Sequence, residues 1–548
     1  IGSKNMDMLQ YGEDIILIDC GIQFPEDDMY GADFSIPDIS FLTKYTDKIA
    51  GLLITHGHLD HIGSLKAVLP ALNFPPLYGT KLTIGLIKKQ LEEHKLLDKT
   101  TLIEVDAGSD KQWNVGPFKV EYFKVNHSIP DCAGLYITSP GGATFMHTGD
   151  FKVDMEPVID EPANLSRIGA FGKKWVTLLL SDSTASLRKW HSMSEKNVWV
   201  ALEKVIAEHN KWKIVIAAFS SWISRVQQLI TIAEKYDKCI YLSGRSMVEN
   251  VAIAKDLGYL KMKPNTIKKL TPKNTQGVPA EKQIIITTGS QWEEYSALSR
   301  MADWKHNCIE IVQWDTVIFS SSVVPGNEGS VSGIINKLIK LGAQVITKED
   351  WDFHTGWHAF VDEQKMMIQL ANPKYFCPIF WDLYFRSAHK KTAMSVWIKE
   401  ENILMLDNGN IVDFAPDGWI FKSRLKVPIQ QIIVDGYGVG TTTSHVLKAR
   451  ETMMNAWVLV IMYKVDKKSK AILWHIRIES RGLVYLEEVR YVHRMIIKKS
   501  KDVYENTIKD VPDIEEKDLL KIIRTDLEWF IYHRISREPM IIPMVTEI

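Results

Sequence analysis

Three imidazoles and a carboxylate stand within six residues in the run Ile54-Thr55-His56-Gly57-His58-Leu59-Asp60-His61. The apolar residues Gly51-Leu52-Leu53-Ile54 precede it directly, as a buried strand would that delivers a tight loop. Imidazole nitrogen and carboxylate oxygen suit zinc first, then manganese or iron. His56 and His58 alternate to one side of an extended segment, while Asp60 and His61 belong to the turn that follows. One loop can thus serve two neighbouring metal positions. A lone histidine is ordinary on a surface or in a core; four ligand types in HxHxDH order behind a strand call for another explanation.

Further donors sit at expected strand ends. His127 lies in Val125-Asn-His-Ser-Ile-Pro-Asp, Asp150 closes His147-Thr-Gly-Asp, and Asp19 ends Ile15-Ile-Leu-Ile-Asp. Singly, each reads as a cap or a satisfied polar group. With HxHxDH they complete a two-metal site. His56, His58 and His127 hold one metal, Asp60 and His61 the other, and Asp150 bridges them. Such a pair, about 3.5–4 Å apart, polarises a phosphoryl oxygen and makes hydroxide available near neutral pH.

The positioning elements alternate. Strands are expected at 15–19, 119–125 and 176–180, with helices at 67–72 and 82–97. A second unit repeats the pattern: helix 194–209, strand 214–218, helix 224–236, then strands 240–242, 283–287 and 316–319. Strand–helix alternation implies layered α/β units. Strand-tipped histidines return at His354 and His358, so the chain is expected to re-enter the first unit after an insertion. The division is 1–190 and 351–435 for the first unit, 191–350 for the insertion, 436–450 for a Gly/Thr-rich linker and 451–548 for a last α+β unit. That last unit carries strands at 456–465 and 471–478, helices near 487–500 and 514–534, and a strand at 539–543.

At 548 residues the chain exceeds a single core. Its hydrophobic share of 45% and charged share of 24% are those of a globular protein. No apolar run approaches a membrane span, and the first residues read as domain rather than as a charged-then-apolar leader. The five scattered cysteines form no CxxC pair, which fits a reducing cytoplasm. A formal net charge of −1 argues against a protein that coats nucleic acid and favours one that grips a strand locally.

The order Asp19, HxHxDH, His127, Asp150 resembles the metallo-β-lactamase superfamily. Ile18-Asp-Cys-Gly-Ile-Gln-Phe-Pro, Leu180-Ser-Asp-Ser-Thr, Arg225-Val-Gln-Gln, Gly244-Arg-Ser-Met, Thr288-Gly-Ser-Gln, Phe319-Ser-Ser-Ser-Val-Val-Pro-Gly-Asn and Glu479-Ser-Arg-Gly-Leu-Val-Tyr narrow the resemblance to ribonuclease J. It implies a metallo-β-lactamase αββα sandwich with an inserted β-CASP α/β domain and a small α+β carboxy-terminal domain. It also implies two zinc ions, or manganese or magnesium, and single-stranded RNA in the cleft between the two larger domains. Degradation from a 5′-monophosphate end, internal cutting, and roles in mRNA decay and ribosomal RNA maturation in the cytoplasm are implied too. So is a homodimer or tetramer, with a paralogous subunit as a further partner.

Carried over residue by residue, Asp182 matches the first β-CASP acid and His358 the histidine that contacts the scissile phosphate. Asp60, Asp182 and His358 are thus the expected catalytic groups. Where the family has Ser-Gly this chain has Gly356-Trp357. Where it reads Pro-Ile-His-Gly-Glu-Tyr, this chain reads Pro378-Ile-Phe-Trp-Asp-Leu. Phe380 therefore stands where a metal-ligating histidine is expected, and a phenyl ring cannot coordinate. The second metal keeps Asp60, His61 and Asp150 but loses a neutral nitrogen; His389 is a distant substitute. Trp292 also replaces a family glycine. Trp222 and Trp357, beside expected phosphate loops, either stack on bases or plug the cleft. Phosphate-binding candidates are Ser221, Arg245, Ser246, Ser321, His354 and His358, the serines doubling as ordinary helix caps. The ligand set favours a ribonuclease. Phe380 and Trp357 favour the alternative, a feeble or inactive RNA-binding paralogue that partners an active subunit. A small-molecule hydrolase of the same superfamily does not explain the long insertion.

Overall fold

The computed structural model describes residues 4–25, 29–289, 296–321, 327–351, 356–415, 419–436, 438–482, 486–536 and 538–548. His354, Trp292 and Ser322 lie outside them. The chain divides into two compact units, one of residues 1–23 and 36–431, the other of 24–35 and 432–548.

Two sheets face each other in the first unit. One has five strands in the order Asp7–Tyr11, Asp14–Ile18, Ile49–Leu53, Leu77–Thr80, Leu102–Val105. The other has six, in the order Pro373–Ile379, Val176–Asp182, Thr144–His147, Ala133–Thr138, Phe118–Lys124, Gln112–Val115. Alternation along the strands sends Ile16, Leu53, Val120, Leu135 and Tyr375 into one core between the sheets. Ile15, Leu17 and Leu52, on the opposite face, pack with Leu65, Val68 and Ile87 of the helices Leu65–Ala71 and Lys81–Glu93. Helices outside two packed sheets make the αββα sandwich. Strand Pro373–Ile379 pairs in parallel with Val176–Asp182, so the chain does return to this sheet after the intervening segment.

That segment builds a third sheet, wholly parallel: Ile267–Lys268, Cys239–Ser243, Gln283–Thr287, Ile214–Ala217, Thr316–Phe319, Gln344–Ile346. Its central strands are apolar on both faces, as helices on either side require. Val198, Leu202 and Ile223 cover one face and Leu298, Met301 and Ile334 the other.

In the second unit, Val458–Val465 lies between Arg477–Arg481, antiparallel, and Met540–Glu547, parallel. Helices Leu486–Asp510 and Glu516–Ile535 contribute Ile496, Ile523 and Leu527 to its core. Two expectations change here. The strand expected at 471–478 is reduced to an isolated bridge of Ile472 with Val465 before the regular strand begins at Arg477 and runs on to Arg481. The stretch read as a linker, 436–450, holds the strand Gly438–Val439 and the start of helix Ser444–Asn455.

Tryptophan recurs where the backbone is left-handed: Trp175, Trp190, Trp304, Trp314, Trp381 and Trp397 have φ between 57° and 99°. Non-glycine residues rarely adopt such angles, and Asn and Asp, not bulky aromatics, are the ones enriched there. Trp304 and Trp397 each follow a helix in a two-bond closure. Lys305 and Trp304 donate to Arg300 and Met301, and Ile398 and Trp397 to Ala393 and Met394. This places both at the position after a helix that glycine ordinarily takes.

Candidate metal centre

The strand Ile49–Leu53 ends in Ile54-Thr55, and His58 caps the one-turn helix Leu59–Ile62. His56 and His58 thus project from extended backbone, while Asp60 and His61 project from the helix. Strand Asp14–Ile18 ends beside this loop with Asp19 at φ 60°. Gly21 is required there, since a Cβ would overlap the Asp60 carbonyl. His127 follows Phe118–Lys124, Asp150 follows Thr144–His147, and Asp182 ends Val176–Asp182.

These ends bring three donor groups together: His56, His58, His127 and Asp150; Asp60, His61 and Asp150; and Asp150, Asp182 and His358. In the first, His58 Nδ1 lies 3.1 Å from both His56 Nε2 and His127 Nε2, and Asp150 Oδ2 lies 3.7 and 3.6 Å from those nitrogens. Ligands held 2.0–2.1 Å from a tetrahedral ion are about 3.3 Å apart. The first group therefore fits a divalent cation in spacing and in donor type. In the second, His61 Nε2 lies 3.5 Å from Asp60 and 3.4 Å from Asp150.

Surrounding contacts fix the tautomers. His127 Nδ1 donates to the Trp357 carbonyl at 2.6 Å, leaving Nε2 as the lone pair. His61 Nδ1 contacts Asp19 at 2.7 Å, and Thr55 Oγ1 links Asp19 to His56 Nδ1. Burial, with neighbouring imidazoles second, holds His56 and His127 well below the usual histidine range. Burial brings His58 to about 4. All three stay neutral donors at pH 7. His358 is the opposite case. Burial lowers it, but the carboxylates of Asp182, 2.7 Å from Nδ1, and Asp150 outweigh that and hold it at about 9. Burial raises Asp182, and the His358 charge carries it below its ordinary value.

Phe380 sits where the missing donor was expected. Its ring meets His61 edge-on at 5.4 Å and is 6% exposed. His389 does not substitute: it is buried against Phe376, with Nδ1 on Ser183 Oγ at 3.1 Å, and belongs to none of the donor groups. Trp222 cannot stack on a base, being 1% exposed, with Nε1 on Glu195 and the Arg225 guanidinium 3.9 Å from its ring. Half-buried Trp357 packs on Phe219 at 4.5 Å and Trp222 at 5.5 Å.

Ser221, Arg245, Ser246 and Ser321 stand at carboxyl ends of strands in the parallel sheet, where open α/β sheets bind ligands. Ser321 is buried; Arg245 and Ser246 are exposed in the first turn of helix Arg245–Asp256. Of the four, Arg245 lines a cavity of about 390 Å³, together with Ser243, Arg300 and His306. Arg300, His306, Glu195 and Asn5 carry no motif and escape the sequence reading.

Three family descriptions match in turn: "Beta-lactamase superfamily domain" over residues 15–203, "Ribonuclease J, beta-CASP domain" over 211–338 and "Ribonuclease J C-terminal domain" over 445–548. Ribonuclease J 1 of Streptococcus pyogenes is 36% identical over 99% of this chain and 95% of its own length. Ribonuclease J of Thermus thermophilus is 33% identical over 99% and 93%, and ribonuclease J2 of Bacillus subtilis 31% identical over 100% and 96%. With lactamase-like sandwich, inserted β-CASP sheet and carboxy-terminal unit all in place, the chain belongs to the ribonuclease J family.

Proposed function

We propose that this chain hydrolyses RNA phosphodiester bonds, from a 5′-monophosphate end and internally, as a homodimer or tetramer in the cytoplasm. The reading rests on one observation: a complete three-histidine, one-carboxylate set beside the Asp182–His358 pair. His56, His58, His127 and Asp150 would hold one divalent cation, zinc by donor type; Asp60, His61 and Asp150 would hold the second. When bound, the two cations supply Lewis acidity at the phosphoryl oxygens and acidify water. His358, protonated at neutral pH, donates from Nε2 to a non-bridging phosphate oxygen and can pass that proton to the leaving 3′ oxygen. Asp182 fixes its ring through Nδ1 and balances its charge. Asp60, its side chain 38% exposed, would serve catalysis as a ligand of the second cation. Ser221, Arg245, Ser246 and Ser321 take the strand's phosphates, with His354 completing the set.

Phe380 supports the second reading, a weak subunit that binds RNA beside an active paralogue. A 5′-monophosphorylated, 3′-labelled single strand, incubated with zinc, manganese or magnesium, separates the two. Cleavage lost in His58→Ala/Asp60→Ala is the expected result. A silent parent that still retains the strand supports the second reading.

A further inference from the structure

Asn5 approaches the metal-ligating side chains from outside the HxHxDH motif. It is 9% exposed, with side-chain Nδ2 3.1 Å from His61 Nε2. His61 Nδ1–H donates to Asp19, so Nε2 presents the lone pair that also faces Asp60 and Asp150. The Asn5 backbone is clamped: its N–H donates to the Asp60 carbonyl and its own carbonyl accepts from Gly21. The two ends of a carboxamide have the same shape, and a half-turn of the group exchanges them. That half-turn sets Oδ1 where Nδ2 stands, 3.1 Å from His61 Nε2. This is close to the roughly 3.3 Å separating two ligands of one small cation.

We propose that Asn5 completes the second metal's ligand set through its side-chain oxygen, on the site that Phe380 leaves one donor short. The proposal rests on the two-metal reading above. Two carboxylates, an amide oxygen and one imidazole form a harder set than three imidazoles and a carboxylate. The second position accordingly favours manganese or magnesium, while the first favours zinc.

The test is metal content and affinity, read by mass spectrometry and calorimetric titration with zinc and with manganese after chelator treatment of the purified chain. The parent is expected to bind two cations, the weaker preferring manganese. Asn5→Leu, which keeps the shape and removes both polar ends, should weaken only that second site, by about tenfold or more. Asn5→Asp should keep it, and Asn5→Leu/Phe380→His should restore it with zinc preferred. Two cations bound by Asn5→Leu with parental affinities overturn the role of Asn5 alone. One cation or none in the parent overturns the two-metal reading with it.

Discussion

His389 shows how far the interior dictates the behaviour of a single side chain. It is fully buried in helix Leu383–Ser395, with Ser183 on one nitrogen, and burial lowers it to about 3. Below its ordinary value of 6.5 the unfolded chain takes up a proton that the folded chain refuses. This group's contribution to stability is therefore complete above that value and drains as pH falls toward 3, by about 1.4 kcal/mol per pH unit. His389→Phe, packed on Phe376, should flatten the pH dependence of the denaturant midpoint over the acid range by one proton. Parallel curves would refute the assignment. Most of the metal centre was legible in the same way, residue by residue. HxHxDH, His127 and Asp150 lie at strand ends that hydrophobic patterning already marks, whereas Asp182 and His358, the latter in the loop before helix Val361–Ala371, were legible only through the family's motifs. Asn5 was not, because its approach to His61 spans 56 residues and nothing local signals it. Trp222 stayed open between stacking on bases and plugging the cleft, because a residue beside a phosphate loop can lie either way; Glu195 and Arg225 hold it inside.

Helix ends are where local preference and fold disagree most. Trp304 and Trp397 close their helices in left-handed backbone while 62% and 89% exposed, so no buried indole offsets the strain. A bulky residue in that region costs about 1–2 kcal/mol. Replacing Trp175, Trp304 and Trp397 with glycine should raise the thermal midpoint by several degrees, whereas alanine, which keeps a Cβ, should gain little. Equal gains from both would show that loss of the exposed indole, not the backbone, is responsible. Strand positions in the two larger domains were readable because their apolar runs are long and flanked by turns. The ends of these helices were not, since tryptophan carries no stop signal.

Over the whole molecule, each compact unit has its own core, the second built on Leu459, Ile461, Tyr463, Ile523 and Leu527. Calorimetry should resolve two transitions, and removal of 432–548 should abolish one; a single sharp peak would contradict this. The separate carboxy-terminal unit was legible, but the inclusion of 24–35 in it was not, because that grouping skips most of the chain. The six tryptophans that are left-handed among the described residues bear on something other than folding. They are scattered through the sandwich and the inserted parallel-sheet segment of the first unit, yet share one residue type and one backbone demand. A single codon that the source cell reads as glycine would relieve all six at once, and would return Trp381 to the glycine of its motif. Peptides spanning Trp175 and Trp190, taken from protein made by that cell, are then expected to weigh less than tryptophan requires. Their masses would report which genetic code this chain is written in.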